Sequence, residues 1–340
     1  MWLAGIDGLN ESIDTAPACH TPTQRVFVLG ATGTIGRAVV QHLVARGHEA
    51  VCFVRAGSAG DVPGEAQVRT GDVCDPASIK SAGLRGEQFD AVISCIASRN
   101  GVAADAWAVD YGANLACLNA VRAAGVRRFV LLSAICVQRP RLAFQHAKLA
   151  FEAQLSASGL DYSIVRPTAF FKSLSGQVER VRAGKPFLLF GDGELTSCKP
   201  ISDRDLARYV ADCLTHEDRR NRILPIGGPG PAITPREQGE ALFRLLGRAP
   251  RFRSAPLWLM DGIILGLDLA ARALPRMATK AELARIGRYY ASESMLLLNP
   301  ATGRYDADAT PSTGADTLFE HYAALLQGTA TVERGAHSVF

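Results

Sequence analysis

Residues 30–36 read Gly30-Ala31-Thr32-Gly33-Thr34-Ile35-Gly36, three glycines spaced three apart. They follow the apolar run Arg25–Leu29 and open a stretch, Ile35–Arg46, whose apolar residues recur at 35, 39, 40 and 43. A strand that turns through glycines into a helix offers free backbone N–H groups and a positive dipole end to an anion. Gly30 allows the tight turn, Gly33 lets the backbone approach a pyrophosphate, and Gly36 lets helix and strand pack closely. Thr32, Thr34 and Ile35 complete a loop suited to a dinucleotide. The end of the second strand decides which one. NAD sites place an acid there for the ribose 2′-hydroxyl. This chain has Val54-Arg55, with Arg37 directly after the third glycine. Two guanidinium groups suit a 2′-phosphate that an acid would repel, so the expected cofactor is NADPH.

The elements that must position this loop alternate along the chain. Strands are expected at Arg25–Leu29, Glu49–Val54, Gln67–Arg69, Ala91–Cys95, Arg128–Leu132 and Tyr162–Val165, and long helices at Trp107–Ala124 and Ala143–Ala157. Apolar runs alternating with helices imply an α/β fold with a doubly wound parallel sheet, a Rossmann domain. Gly71-Asp72-Val73 follows the third strand, where adenine is expected, and Ser94-Cys95-Ile96-Ala97 ends the fourth, beside the adenosine and its ribose. Asp72, Val73, Cys95 and Ala97 are therefore candidate cofactor contacts, with Pro167 and Phe170 past the sixth strand. Beyond Pro167, Gly and Pro become dense at 184–186, 191–193 and 227–231. The expected organisation is a flexible segment 1–22, a dinucleotide domain 23–167, a smaller substrate lobe 168–330 with some return to the core, and a flexible tail 331–340.

Composition narrows the class. A net charge of +4 from scattered Lys and Arg does not suit nucleic acid. Eight cysteines form no C-x-x-C pair, which points to reduced thiols and to neither a metal site nor an iron–sulfur cluster. Asp7, Glu11 and Asp14 argue against a signal or transit peptide, and a cytoplasmic protein is expected. The most apolar stretch, Pro256–Leu274, is interrupted by Asp261, Asp268 and Arg272, so no spanning helix is expected. It reads as a helix packed on the protein, or as a surface that meets membrane or an apolar ligand.

The layout resembles the extended or atypical short-chain dehydrogenases/reductases. That family places a Ser after the fifth strand and Tyr-x-x-x-Lys on the next helix. Ser133 and Lys148 match; the tyrosine position holds Phe144 in Phe144-Gln145-His146-Ala147-Lys148. A phenol there serves proton transfer at a carbonyl or alcohol oxygen. Its loss disfavours carbonyl reduction, whereas a conjugated alkene has no such oxygen. Lys148 can still bind the nicotinamide ribose, and Phe144 can pack on a flat ring.

Longer stretches carry a closer resemblance: Ser133–Gln138 (SAICVQ), Tyr162–Leu174 (YSIVRPTAFFKSL), Phe190–Gly193 with Cys198–Ser202, Leu224–Gly230 and Ile286–Met295 (IGRYYASESM). In these the chain is similar to the NADPH-dependent divinyl chlorophyllide 8-vinyl reductases, in which Phe replaces Tyr. The resemblance implies reduction of the 8-vinyl group of divinyl chlorophyllide or protochlorophyllide to ethyl, in chlorophyll or bacteriochlorophyll synthesis. With the short N-terminus it points to a photosynthetic bacterium. Catalytic candidates are Lys148, Ser133 and Phe144. Water, Tyr111, Lys172, Cys198 and Lys199 are candidate proton donors. Phe170, Phe171, Phe187 and Phe190 form an apolar wall for the pigment or are ordinary core aromatics. Arg288, Lys172 or Lys199 would meet a propionate, and Tyr289 and Tyr290 line the pocket or anchor the lobe. The alternatives are a reductase of another conjugated alkene or a carbonyl, and a non-catalytic NADPH sensor or assembly factor.

Overall fold

The computed structural model describes residues 22–99 and 101–330. Cys19, nearly all of the segment 1–22 and the tail 331–340, for which flexibility was expected, lie outside the described residues. In chain order the strands are β1 (Arg25–Leu29), β2 (Glu49–Val54), β3 (Gln67–Thr70), β4 (Ala91–Ser94), β5 (Arg128–Leu132), β6 (Asp161–Pro167), β7 (Phe187–Phe190), β8 (Arg222–Ile226), β9 (Phe252–Ala255) and a short antiparallel pair, β10 (Leu297–Leu298) and β11 (Tyr305–Asp306). Seven of them form one sheet in the order β3-β2-β1-β4-β5-β6-β8, with every neighbouring pair parallel. The order reverses between β1 and β4, and the crevice at their C-terminal ends is where such sheets bind ligands.

Both faces of the sheet are covered, which is why its central strands read as unbroken apolar runs. On one face, Val39, Val40 and Leu43 of helix Thr34–Ala45 and Leu206, Ala207 and Val210 of helix Asp203–Asp212 share a core with β1, β2 and β4. On the other, Cys117, Leu118 and Val121 of helix Asn114–Ala123 pack with Phe151 and Leu155 of helix Ala143–Ser156. A third core belongs to the smaller lobe. It gathers Phe171, Val181, Phe187, Leu242, Phe243 and Tyr322, with β7 and β9 paired parallel beside it.

Three features of the fold bear on the site. First, the stretch after Pro167 returns to the sheet: β8 pairs with β6 from Ser163↔Arg222 to Pro167↔Ile226. Its Pro225 hides the strand signal, yet an edge strand tolerates the missing N–H. Second, the helix expected at Trp107–Ala124 begins at Ala103 and passes through a π-helical segment, Trp107–Ala113. The wider turn shifts the register and carries Asp110 into the interior, where it is 1% exposed. Third, helix Leu257–Ala271 has no buried residue. It lies along helix Arg276–Tyr290, with Asp261 paired to Arg288 at 2.8 Å and Asp268 to Arg285 at 2.6 Å.

Three histidines tie the fold to pH. The Gln24 N–H donates to His48 Nδ1 at 3.2 Å, which requires that nitrogen to be unprotonated. Burial, the largest cause in each case, lowers the pKa of His42, His48 and His321 from 6.5. With the folded values depressed, the unfolded chain takes up protons first. This contribution is present above about pH 6.5 and is lost as pH falls below it. Thermal melts from pH 8 to 5.5 should show a Tm that declines as these histidines begin to charge. A Tm that rises across that range would contradict this assignment.

Candidate functional site

The glycine loop is held by backbone-to-backbone contact. Gly30 has φ +78°, and a Cβ there would lie 2.6 Å from the Cys95 carbonyl carbon. A Cβ on Gly36 would lie 2.0 Å from the Gly30 oxygen. The Gly33 N–H closes the turn on the Gly30 oxygen at 3.1 Å. Gly33 is also the N-cap of helix Thr34–Ala45, makes no side-chain cap, and precedes a first turn without acids. The amides of that first turn are left for an anion, so the loop fits the phosphates of a dinucleotide.

The flanking candidates fall at the same edge of the sheet. Arg55 directly follows β2 and is exposed, while the half-buried Arg37 reaches back to the Thr32 carbonyl at 3.5 Å. Asp72 accepts the Cys74 N–H at 2.9 Å and shapes the turn after β3, and Val73 packs on the adjoining core. Cys95 donates its N–H to the Leu29 carbonyl, and burial pushes its thiol up to about 12. Ala97 lies exposed just beyond.

Lys148 extends from helix Ala143–Ser156 to Asp110, with 2.9 Å between Nζ and Oδ1. The Ser98 N–H donates to the other Asp110 oxygen at 3.3 Å. Asn114, one turn on, donates to the Asp110 carbonyl and accepts from Ser94 Oγ at 2.6 Å. The π-helical register therefore decides where the lysine charge sits. Phe144 lies one turn before Lys148 on the same helix face and packs against the third core. Ser133 has a different engagement. Its hydroxyl donates to Glu152 Oε1 at 2.5 Å, and Glu152 is paired with Arg166, whose Nε lies 3.2 Å from Oε1. With its proton on a buried carboxylate, Ser133 is not free to donate to a substrate oxygen.

The structure separates the candidate substrate residues into groups. Lys172 Nζ donates to Thr34 Oγ1 at 2.9 Å, linking the smaller lobe to the dinucleotide loop. Beside this contact lies a cavity of about 710 Å³, bordered by Arg37, Phe171, Lys172, Arg204 and His321. Lys199 and Cys198 are buried elsewhere: Lys199 Nζ donates to the Thr310 carbonyl at 3.1 Å, and the Cys198 thiol is pushed up to about 12 by burial. Tyr289 is also buried, and its hydroxyl donates to the carbonyls of Cys136 and Arg139 at 2.8 and 3.1 Å. It anchors the C-terminal lobe to the segment after Ser133. The Tyr290 hydroxyl lies 3.8 Å from Cys136 Sγ. Arg288 is held by Asp261. Phe187 meets Phe252 edge-to-face at 6.3 Å and shares the small lobe's core with Phe171, whereas Phe170 packs on the Rossmann core. Tyr111 meets Trp107 edge-to-face, with ring centroids 5.6 Å apart.

Sequence reasoning missed Asp110, Glu152 and Arg166. Each is a charged residue set among apolar neighbours in a stretch otherwise destined for the core, and that is the signal available for them. Buried charges are seldom left unpaired.

The NAD(P)H-binding family model matches residues 30–217. Over 340 residues the chain is 49% identical to the divinyl chlorophyllide a 8-vinyl-reductase of Zea mays, covering 95% of this chain and 84% of that one. The enzyme of the same name from Oryza sativa subsp. indica is 50% identical over 331 residues, 93% of this chain and 82% of that one. Among solved structures, the NADPH complex of the quinone oxidoreductase QOR2 from Escherichia coli superposes with a TM-score of 0.65, covering 88% of this chain and 99% of that one. At 18% identity that likeness concerns the fold.

The Ser133–Glu152–Arg166 network yields a stability test. Glu152→Ala leaves Arg166 and the Ser133 hydroxyl without their acceptor, and breaking a buried pair in this way costs about 3 kcal/mol. Urea unfolding should show that loss, with the unfolding slope unchanged. A cost below about 1 kcal/mol, the range of surface pairs, would mean that the network carries little of the local structure.

Proposed function

The chain belongs to the divinyl chlorophyllide a 8-vinyl-reductase family, and on that premise we propose how its own residues serve the reaction. The protein reduces the 8-vinyl group of divinyl chlorophyllide a to ethyl, in chlorophyll biosynthesis. It binds a nicotinamide dinucleotide, which supplies a hydride when bound. NADPH is our reading of that dinucleotide, supported by Arg37 and Arg55 at the edge where an NAD site would hold an acid. The first-turn amides of helix Thr34–Ala45 hold the pyrophosphate, and Lys172, anchored on Thr34, adds a positive charge beside them.

One observation carries the mechanistic reading: a benzyl ring, Phe144, stands one turn before Lys148 where a carbonyl reductase needs a phenol. Vinyl reduction has no oxygen to protonate. A bound dinucleotide would supply the hydride and solvent or a protein donor the proton that together turn the vinyl group into ethyl, and the conjugated macrocycle would carry the charge between the two transfers. Lys148, held by Asp110, would bind the nicotinamide ribose and would add a positive charge that favours hydride transfer. Phe144 offers a flat apolar surface to a ring. Ser133 acts as a positioning residue, joined through Glu152 to Arg166 at the end of β6, and does not act as a proton donor.

Purified protein mixed with NADPH and divinyl chlorophyllide should shift the pigment's Soret band to the blue as the vinyl group is lost. No shift from protein that demonstrably binds NADPH would overturn the reading. Arg55→Glu should raise KM for NADPH about tenfold or more and leave kcat nearly unchanged, since it removes a charge-assisted contact and adds repulsion. An unchanged KM would remove the case for a 2′-phosphate clamp. Phe144→Tyr should retain most of the turnover, because the reaction gives a phenol there nothing to do.

A further inference from the structure

Helix Leu257–Ala271 presents two unlike faces. Leu257, Met260, Ile264 and Leu267 are half-buried and follow a helical stripe toward helix Arg276–Tyr290. The helix's two acids lie on that same stripe and are committed to the neighbouring helix, Asp261 to Arg288 and Asp268 to Arg285. The opposite face is left with Trp258, Leu259, Gly262, Ile263, Leu265, Gly266 and Leu269 and with no charge. Trp258 is 70% exposed, Leu265 63% and Leu269 53%. This contiguous apolar surface differs from the scattered exposed leucines of ordinary soluble surfaces.

The charge around this face tells what covers it. Residues 251–290 carry seven basic and three acidic side chains, a surplus of four that equals the net +4 of the whole chain. The three acids are all paired with arginines: Asp261 with Arg288, and Asp268 and Glu282 with Arg285. Arg272 continues the Trp258–Leu265–Leu269 stripe at its C-terminal end, and Arg276 and Lys280 follow just past the turn. All three are exposed, and none makes an ion pair among the described residues. A tryptophan at one end of an apolar stripe and unpaired cations at the other match an anionic bilayer surface. The indole and leucines enter the acyl boundary while the cations meet lipid phosphates. A second copy of the chain would bring an equal cationic surplus to the same place. Among the described residues no helix is long and apolar enough to cross a membrane, so the contact is peripheral.

We propose that the hairpin formed by helices Leu257–Ala271 and Arg276–Tyr290 docks the protein on anionic lipid bilayers, with helix Leu257–Ala271 lying in the membrane plane. The proposal stands apart from the reductase reading, because no residue assigned above to the dinucleotide or to hydride transfer belongs to the exposed stripe.

The test uses the full chain with vesicles of phosphatidylcholine alone or with phosphatidylglycerol added. The protein should float with the phosphatidylglycerol vesicles and remain behind with the neutral ones, and the bound fraction should fall as salt is raised. Brominated lipid should quench tryptophan emission in the parent and not in Trp258→Phe. Trp258→Ser with Leu265→Ser should lower the partition coefficient about tenfold or more. Arg272→Glu with Arg276→Glu and Lys280→Glu should lower it about a hundredfold. Dinucleotide affinity, measured in the same preparations, should match the parent and thereby certify folding. Failure of the parent to bind phosphatidylglycerol vesicles would overturn the proposal. So would a dimer in solution, by light scattering, that the Trp258 and Leu265 substitutions convert to monomer.

Discussion

The turn from β1 into helix Thr34–Ala45 touches the end of β4 backbone against backbone, and the rest of the site depends on that contact. The Gly30 position abuts the Cys95 carbonyl, and the Gly36 position abuts Gly30 itself. No side chain fits in either gap, so the helix N-terminus is drawn down onto the sheet at the point where strand order reverses. The uncapped amides then open into the crevice at the C-terminal ends of the strands. Every other functional element, from Lys148 to Lys172, must approach that crevice from its own side.

Those approaches are set by buried charge. Lys148 owes its position to Asp110, and Asp110 reaches the interior through the π-helical segment Trp107–Ala113. The second buried charge set, Ser133–Glu152–Arg166, lies on the same helix as Lys148 but serves a different purpose. Glu152 is one turn beyond Lys148, yet it takes its charge partner from the end of β6 and its hydroxyl donor from the end of β5. The serine that would polarise a carbonyl is bound inward, and the tyrosine that would protonate it is a phenylalanine. Both features fit the reduction of a carbon–carbon double bond, which has no oxygen to polarise or protonate.

Much of this was legible in the chain, and the limits have physical reasons. The glycine loop, the absence of an acid after β2 and the Phe144–Lys148 spacing are local features, and local features survive in sequence. The parallel sheet followed from apolar runs of strand length. The edge strand β8 was harder to see because Pro225 breaks the strand pattern at a place where only an edge could accept it. The π-helical segment has no compositional mark. Asp110 and Lys148 are 38 positions apart, and nothing in periodicity joins two charges across that gap. Lys199 and Tyr289 looked equally available for a ligand. Burial gave the first to the Thr310 carbonyl and the second to the carbonyls of Cys136 and Arg139. Polar groups that enter a core are claimed by the nearest unpaired backbone, and which backbone that is depends on the tertiary fold.

Lys172 shows how the smaller lobe meets the cofactor domain. It belongs to the segment after β6, where the chain leaves the sheet, and its ammonium returns to Thr34 in the first turn of the phosphate-facing helix. Phe171 beside it is buried in the smaller lobe's core and faces the His321 ring at 5.4 Å. Adjacent residues therefore tie one lobe's apolar interior to the other's anion-facing terminus. A displacement of the smaller lobe would drag the Lys172 charge away from that terminus. The Lys172–Thr34 contact is thus one of several links between the two parts of the chain, beside the pairing of β8 with β6 and the packing of helix Asp203–Asp212 on the Rossmann core, and it is the one that reaches the helix terminus itself.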